Sequence, residues 1–388
     1  MKLNKLFVSA LAALAFVACS KDGETGAEGP ESGQGMSVTI SLRNSGSAAA
    51  QAAGKGTRSS ETDFTEATTI TLKKIKVFFA DADGNIVDDG EFTDEQIGDK
   101  LAVFHGINPS ATQAIAAANY GELLSSTPAT ITALKATKLT LVDYQGSKLQ
   151  EEVPLMSEAA ALEENTDKEH PDTAGETDEE VTWCKVSLNL VPVLSRIEIG
   201  GNLTITSDME GEFVYTEFTM AHVGLNGLFP ACTLGGDESG ERVYTNTNAT
   251  GFPATGTTPA WMYDALPDTD LIAAPGNSAS MEKVYAYNVM PGDKPEITLQ
   301  FNSTPRQDLP EGAPVPVSPK AYIKIVNFTD AAVDNKMTLE PGKIYKIENI
   351  SFPQDKVTML DNQVLCVEVT VTVQDWEIVD VENPEFGE

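Results

Sequence analysis

Four cysteines, three histidines and a large excess of carboxylates are the side chains here best suited to chemistry, and their spacing decides which kind. His105, His170 and His222 stand far apart, none with a second imidazole nearby, and no Cys-x-x-Cys pair occurs. A zinc module with paired ligands is excluded on that ground, and each histidine reads as a packing or surface residue. Neither a Gly-x-Ser-x-Gly elbow nor a His-Glu-x-x-His helix is present, so the familiar hydrolase signatures are missing, while carboxylates are too numerous to assign to acid–base work by inspection. Asp81-Ala82-Asp83-Gly84-Asn85 has the acidic spacing of the start of a calcium loop. No glutamate follows at the last ligand position, however, and the segment lies between two strand-like runs, where Asp-Gly is hairpin-turn chemistry. The expectation is a chain that is not an enzyme and holds no metal or cofactor.

The elements that would position these residues belong to an ordinary globular protein. The 388-residue length fits two domains of about 150 residues. Hydrophobic residues make up 41% and charged residues 22%, a balance that supports packed cores. Lys and Arg number 26 against 58 Asp and Glu, a net charge of -32 that repels a phosphate backbone, so no nucleic-acid partner is expected.

Lys2 and Lys5 precede an apolar run, Leu6 to Ala18, of about thirteen residues, too short for a stable span and right for a secretory signal over 1–18. Phe16-Val17-Ala18-Cys19 followed by Ser20, Lys21 and Asp22 resembles a bacterial lipoprotein box, departing from it at Phe16. Cys19 would carry acyl chains worth about 0.8 kcal/mol per buried methylene and tether the chain to the outer membrane. Cys184, Cys232 and Cys366 then remain, an odd number whose pairing the sequence leaves open.

Residues 19–58 read as a tether with one removable strand. Ser20 to Gly35 is Gly-, Glu- and Ser-rich. Ser37 to Leu42 then alternates, with Val38, Ile40 and Leu42 on one face. A second coil, Asn44 to Asp63, follows, with Arg43 just before it and Arg58 near its end. Residues 59–180 form the expected first domain, completed by 37–42. Its strands run through Ile70 and Leu72, through Ile75, Val77 and Phe79, over 129–142 and around Val153 to Met156, and one short helix over 109–124 rests on Ile115, Ala118 or Asn119, and Leu123. The acidic stretch 163–180 reads as a linker. Residues 181–363 alternate almost throughout, from Val186, Leu188 and Leu190 to 344–352, the pattern of a second antiparallel sandwich.

The last segment, 364–388, is the other unusual feature. Val367, Val369, Val371 and Val373 share a face, and the pattern continues through Trp376 and Ile378. Such a terminal strand needs a partner sheet, because left open it invites aggregation. A detachable strand near the start and a strand-forming end together point to strand exchange: loss of the first strand leaves a groove that the terminal strand of another copy fills. Four to six buried Val or Ile side chains at about 1.5–3 kcal/mol each give on the order of 10 kcal/mol before association entropy. Groove and donor differ in position, so the contact is heterologous and propagates into open fibres.

Cys19, the Arg-bearing coil after one strand, Val153-Pro154-Leu155-Met156-Ser157, Val186-Ser187-Leu188 with Arg196-Ile197-Glu198-Ile199, Pro341-Gly342-Lys343-Ile344-Tyr345 and Val371-Thr372-Val373-Gln374-Asp375-Trp376 together resemble a Bacteroidales fimbrillin over nearly the whole chain. The resemblance implies an all-β type V pilin. It would have two transthyretin-like or immunoglobulin-like sandwiches, lipoprotein export, cleavage after Arg58 (less readily Arg43) by an Arg-specific surface protease, and polymerisation at the cell surface with copies of itself and other fimbrial subunits. An anchor or tip subunit is the nearest alternative. A surface glycan-binding lipoprotein is another, in which Trp183, Trp261, Tyr263 and Trp376 would stack on sugar rings.

Overall fold

The computed structural model describes residues 35–44, 70, 72–141, 153–166, 182–206, 215–244, 263–265, 271–272, 278–281, 284–308, 311, 320–329, 338–354 and 365–375, all within the unit Gln34–Glu388. The first half contributes β1 (Met36–Asn44), β2 (Ile75–Ala80), β3 (Ile86–Glu91), β4 (Leu101–Ile107), β5 (Gln113–Ala118), β6 (Lys138–Thr140), β7 (Leu155–Met156), β8 (Ala160–Ala161), β9 (Glu163–Glu164) and β10 (Trp183–Pro192). They join in the order β3-β2-β5-β7-β10-β1-β4, with β8 on β5, β9 on β10 and β6 apart. In β10, Cys184, Val186, Leu188 and Leu190 are buried while Lys185, Ser187 and Asn189 are exposed, the period-two pattern of a strand with one wet face. Its first eight residues run beside β1, and its last two, Val191 and Pro192, pair with β7. One strand thereby carries the sheet from one layer to the next. Phe104 of β4 meets Phe79 of β2 and Phe92, each with ring centroids 5.7 Å apart, so the layers pack face to face.

The β2–β3 connection is a turn. The Asp81 carboxylate accepts hydrogen bonds from the Asp83 and Asn85 amides and from Asn85 Nδ2, each at 2.9 Å, and Gly84 takes φ +82. Those bonds, the Asn85 side chain first, hold the Asp81 carboxyl below the usual carboxylate range. Both Asp81 carboxylate oxygens are thereby engaged within the turn, Oδ1 by two backbone amides and Oδ2 by the Asn85 side chain.

Two local expectations are corrected. Residues 109–124 form no helix: Gln113–Ala118 is strand β5, with every residue after Gln113 buried. Both of its faces are covered, so no polar alternation marks it, and its alanines allow close approach of neighbouring strands. Among the described residues the helices are α1 (Asp94–Asp99), opened by a Thr93/Gln96 capping box, and α2 (Ile131–Lys135), capped by Thr130. α2 occupies part of 129–142, where a strand was expected and only β6 is extended.

The second half contributes β11 (Ser195–Thr206), β12 (Tyr215–Asn226), β13 (Ala231–Thr233), β14 (Glu238–Ser239), β15 (Tyr263–Ala265), β16 (Leu271–Ile272), β17 (Ser278–Ser280), β18 (Tyr285–Val289), β19 (Gly292–Asp293), β20 (Glu296–Pro305), β21 (Lys320–Thr329), β22 (Thr338–Leu339), β23 (Lys343–Pro353), β24 (Leu365–Thr370) and β25 (Thr372–Asp375). One layer is β17-β11-β23-β25 with β18 on β11; the other is β15-β12-β20-β21-β24 with β16 on β12. Phe352 of β23 lies 5.8 Å from Phe218 of β12 and 5.6 Å from Phe301 of β20, closing the core between them. The all-β sandwich class is as expected. Most pairings are antiparallel, but β1/β10, β11/β23 and β21/β24 are parallel, because each joins strands separated by long crossovers and not by hairpins.

The halves are stitched together. β6 of the first half pairs with β13, which pairs with β14. Gly342 (φ +70) donates its N–H to the Leu194 carbonyl at 2.8 Å, where a Cβ would stand 2.7 Å from Val191 Cγ1. β10 lies beyond residue 180, where the sequence places the start of the second domain, yet it is integral to the first sheet; the chain crosses to the second sandwich at Val193 and Leu194.

Candidate functional site

β1 lies inside the first sheet, parallel to β10 from Ser37↔Trp183 to Asn44↔Leu190 and antiparallel to β4 from Met36↔Ile107 to Ser41↔Leu101. Met36, Val38, Ile40 and Leu42 point into the core and are 5%, 0%, 0% and 7% exposed. At about 1.5–3 kcal/mol for each buried side chain they contribute on the order of 10 kcal/mol. On the other face Ser37 Oγ lies 3.0 Å from His105 Nδ1, and Ser41 Oγ lies 2.7 Å from Ser187 Oγ. The Thr39 hydroxyl is buried without a hydrogen-bond partner, a desolvation cost of about 1–3 kcal/mol borne by this strand.

Taking β1 away would leave a slot one strand wide. Cys184, Val186, Leu188 and Leu190 of β10 form one wall, and Ala102, Phe104 and Ile107 of β4 the other. Cys184 Sγ lies 3.3 Å from Met36 Sδ, so its thiol faces this slot. Cys184 and Cys232 are both free and buried. Burial first, then the charge of Glu164, pushes the Cys184 thiol up, and burial pushes Cys232 up to about 12. Neither is a ready nucleophile.

The carboxyl-terminal strands sit on their own sandwich, one at the end of each layer. Val367 lies opposite Ile325 and Val369 opposite Phe328 along β21, and Val373 lies opposite Tyr345 along β23. Between the two, Val371 crosses from one layer to the other and is 2% exposed. Cys366 lies opposite Lys324. Arg43 is in the β1 ladder opposite Asn189. Cys19, Arg58, Trp376, Ile378, His170 and Trp261 lie outside the described residues. Trp183 meets His105 edge-on at 5.8 Å, while Tyr263 is in β15 opposite Gly224 and His222 in β12 opposite Ala265. Sequence reasoning missed Phe104 and Gly90, which meet beside the slot. A glycine inside a strand pattern was the available signal, since it marks a close approach.

Tyr345 anchors the β22–β23 turn, accepting from the Glu340 amide at 2.7 Å and donating to the Thr338 carbonyl at 3.3 Å. Its burial pushes the phenol up to about 12. Both this phenol and the Cys232 thiol must therefore stay protonated in the fold, although in the unfolded chain they ionise near 10.0 and 9.0. The share of stability that these two groups contribute is expected to be level below pH 9.0 and to fall as pH rises toward 12. Denaturant midpoints across that window check it, with Cys232→Ala removing the thiol's share of the slope; a flat profile would contradict the assignment.

No family model and no curated protein sequence matches the chain. Solved structures do share its fold. A protein ascribed to cell adhesion from Bacteroides eggerthii DSM 20697 is 17% identical with a TM-score of 0.55, covering 89% of this chain and 97% of that one. A second, from Parabacteroides distasonis ATCC 8503, is 14% identical with a TM-score of 0.52, over 90% and 99%. A fimbrilin from Porphyromonas gingivalis W83 is 12% identical with a TM-score of 0.50, over 89% and 99%. At these identities the likeness establishes the shared fold.

Proposed function

We propose that this chain is a non-enzymatic structural subunit of a surface fimbria, assembled by donor-strand exchange. The observation that carries the reading is β1, an interior strand with four core-facing residues, joined to the rest of the first domain through a segment that contains Arg58. A fold shared with cell-adhesion proteins and a fimbrilin supports the same role. The precursor is exported as a lipoprotein through Cys19, held at the outer membrane, and cut after Arg58 by an Arg-specific surface protease. Arg43 is the poorer site because its backbone is already paired with Asn189 in the ladder, and a protease needs an extended, accessible chain. Once β1 leaves, residues 364–388 of the next copy enter the slot, with Val367, Val369, Val371 and Val373 in place of the Met36, Val38, Ile40 and Leu42 stripe. Other fimbrial subunits with such strands would join by the same contact.

Amino-terminal sequencing of subunits taken from filaments tests this. Ser59 is expected as the first residue; Asn44 would move the cut to Arg43, and Cys19 on an assembled subunit would overturn the reading.

A further inference from the structure

β4 has an unusual dependence on the strand that leaves. It ends the strand order, and β1 is its one ladder partner among the described residues. When β1 goes, β4 loses that whole ladder, and nothing in the ladder then keeps it one strand's width from β10. An acceptor slot exists only if something else holds β4 in place.

Phe104 is placed to do so. It stands opposite Val38 in the register, so it lines the slot, and its ring reaches across to the opposite layer. There it meets Phe79 at 5.7 Å and 71° and Phe92 at 5.7 Å and 62°, edge-to-face arrangements favoured between aromatic rings. The ring lies over Gly90 of β3, where a Cβ would come 2.4 Å from Phe104 Cε1, closer than any side chain allows. Gly90 has no positive φ, so what the glycine provides there is room for the ring. Just past the end of β4, the Asn108 amide donates to Asp88 Oδ2 at 3.2 Å, a second tie to β3. These contacts involve β2, β3 and the loop after β3, and none involves β1.

Resting on the strand-exchange reading, we infer that Phe104, seated over Gly90, is the pin that keeps β4 standing as the far wall of the slot between departure of β1 and arrival of the donor. It is a positioning residue for acceptance, with no part in donation. Losing it lets β4 drift or close against β10, so the subunit can give its terminal strand but cannot receive one.

The test compares full-length wild type, Phe104→Ala, Gly90→Ala and the conservative Phe104→Leu, before and after cleavage by an arginine-specific protease. Binding of an added peptide of residues 364–388 to the cleaved subunits, freed of β1, is the first readout, because the β4 amides lose their own ladder partners when β1 leaves. Wild type should bind the peptide, and Phe104→Ala and Gly90→Ala should bind it at least about tenfold more weakly, with Phe104→Leu recovering part of the affinity. Mixed with wild-type subunits, the two alanine variants should join at one end and stop growth there. Equal peptide affinity in wild type and the alanine variants, or acceptance of donors at the wild-type rate, would overturn the pin. If Phe104→Ala does not fold as a precursor, Gly90→Ala and Phe104→Leu carry the same comparison. Cleaved wild-type chains that release β1 yet never bind the peptide or take a donor would instead sink the strand-exchange reading.

Discussion

Replacing Ile40 with alanine is expected to destabilise the unprocessed chain by about 2–5 kcal/mol and to leave assembled filaments as resistant to dissociation as wild type. Ile40 is 0% exposed at the middle of β1, between Val186 of β10 and Ala102 of β4. Truncating it leaves a cavity that the ladders on both sides cannot close by shifting, so the cost should sit in the upper part of the range for such changes. Under the proposed processing the residue would be gone from the subunit, and its place in the core would belong to the donor. A control in β2 separates the two states: Val77, also 0% exposed, stays with the subunit, so Val77→Ala should weaken precursor and filament alike. Denaturant unfolding of the precursor and heat dissociation of filaments in detergent give the two readouts. Filaments weakened by Ile40→Ala would show that β1 persists in the assembly.

How far this was legible in the sequence depends on which faces are wet. β1 and β10 alternate cleanly because one side of each meets water or polar partners, and both read as strands from Val38, Ile40 and Leu42 and from Val186, Leu188 and Leu190. β5 is covered on both sides, so Ala114 to Ala118 carries no period of two and Ile115 with Ala118 imitates a helix. Pairing partners were not legible at all. Nothing local to Trp183–Pro192 says that it completes the first sheet, because that follows from contacts with a strand about 145 residues earlier. The same holds for the chain end: the alternation of 364–373 says strand, while its division at Val371 between two layers is a property of the sandwich. Phe104 over Gly90 is a contact across layers, which the separate patterns of β3 and β4 do not contain.

Deleting residues 364–388 is expected to abolish polymer ladders after processing while leaving a folded monomer. Among the described residues β24 pairs with β21 alone and β25 with β23 alone, each at the end of its layer, so the deletion strips edges and opens no interior ladder there. Among the residues whose burial is described, the deletion removes Val371 from the core, at about 1.5–3 kcal/mol. The same geometry explains why exchange should run forward. The donor gives up one ladder on each of two edges, whereas a strand in the slot of β1 gains ladders on both sides and buries a full apolar stripe. The net gain has to exceed the entropy of association, and the on-the-order-of-10 kcal/mol burial in the slot is what makes that possible. The deleted subunit keeps its slot, so mixed into wild-type protein it should accept a donor and then end the chain, the mirror image of a Phe104 variant, which donates and cannot accept. Ladders persisting in a pure preparation of the deletion variant would show that the donor lies elsewhere in the chain.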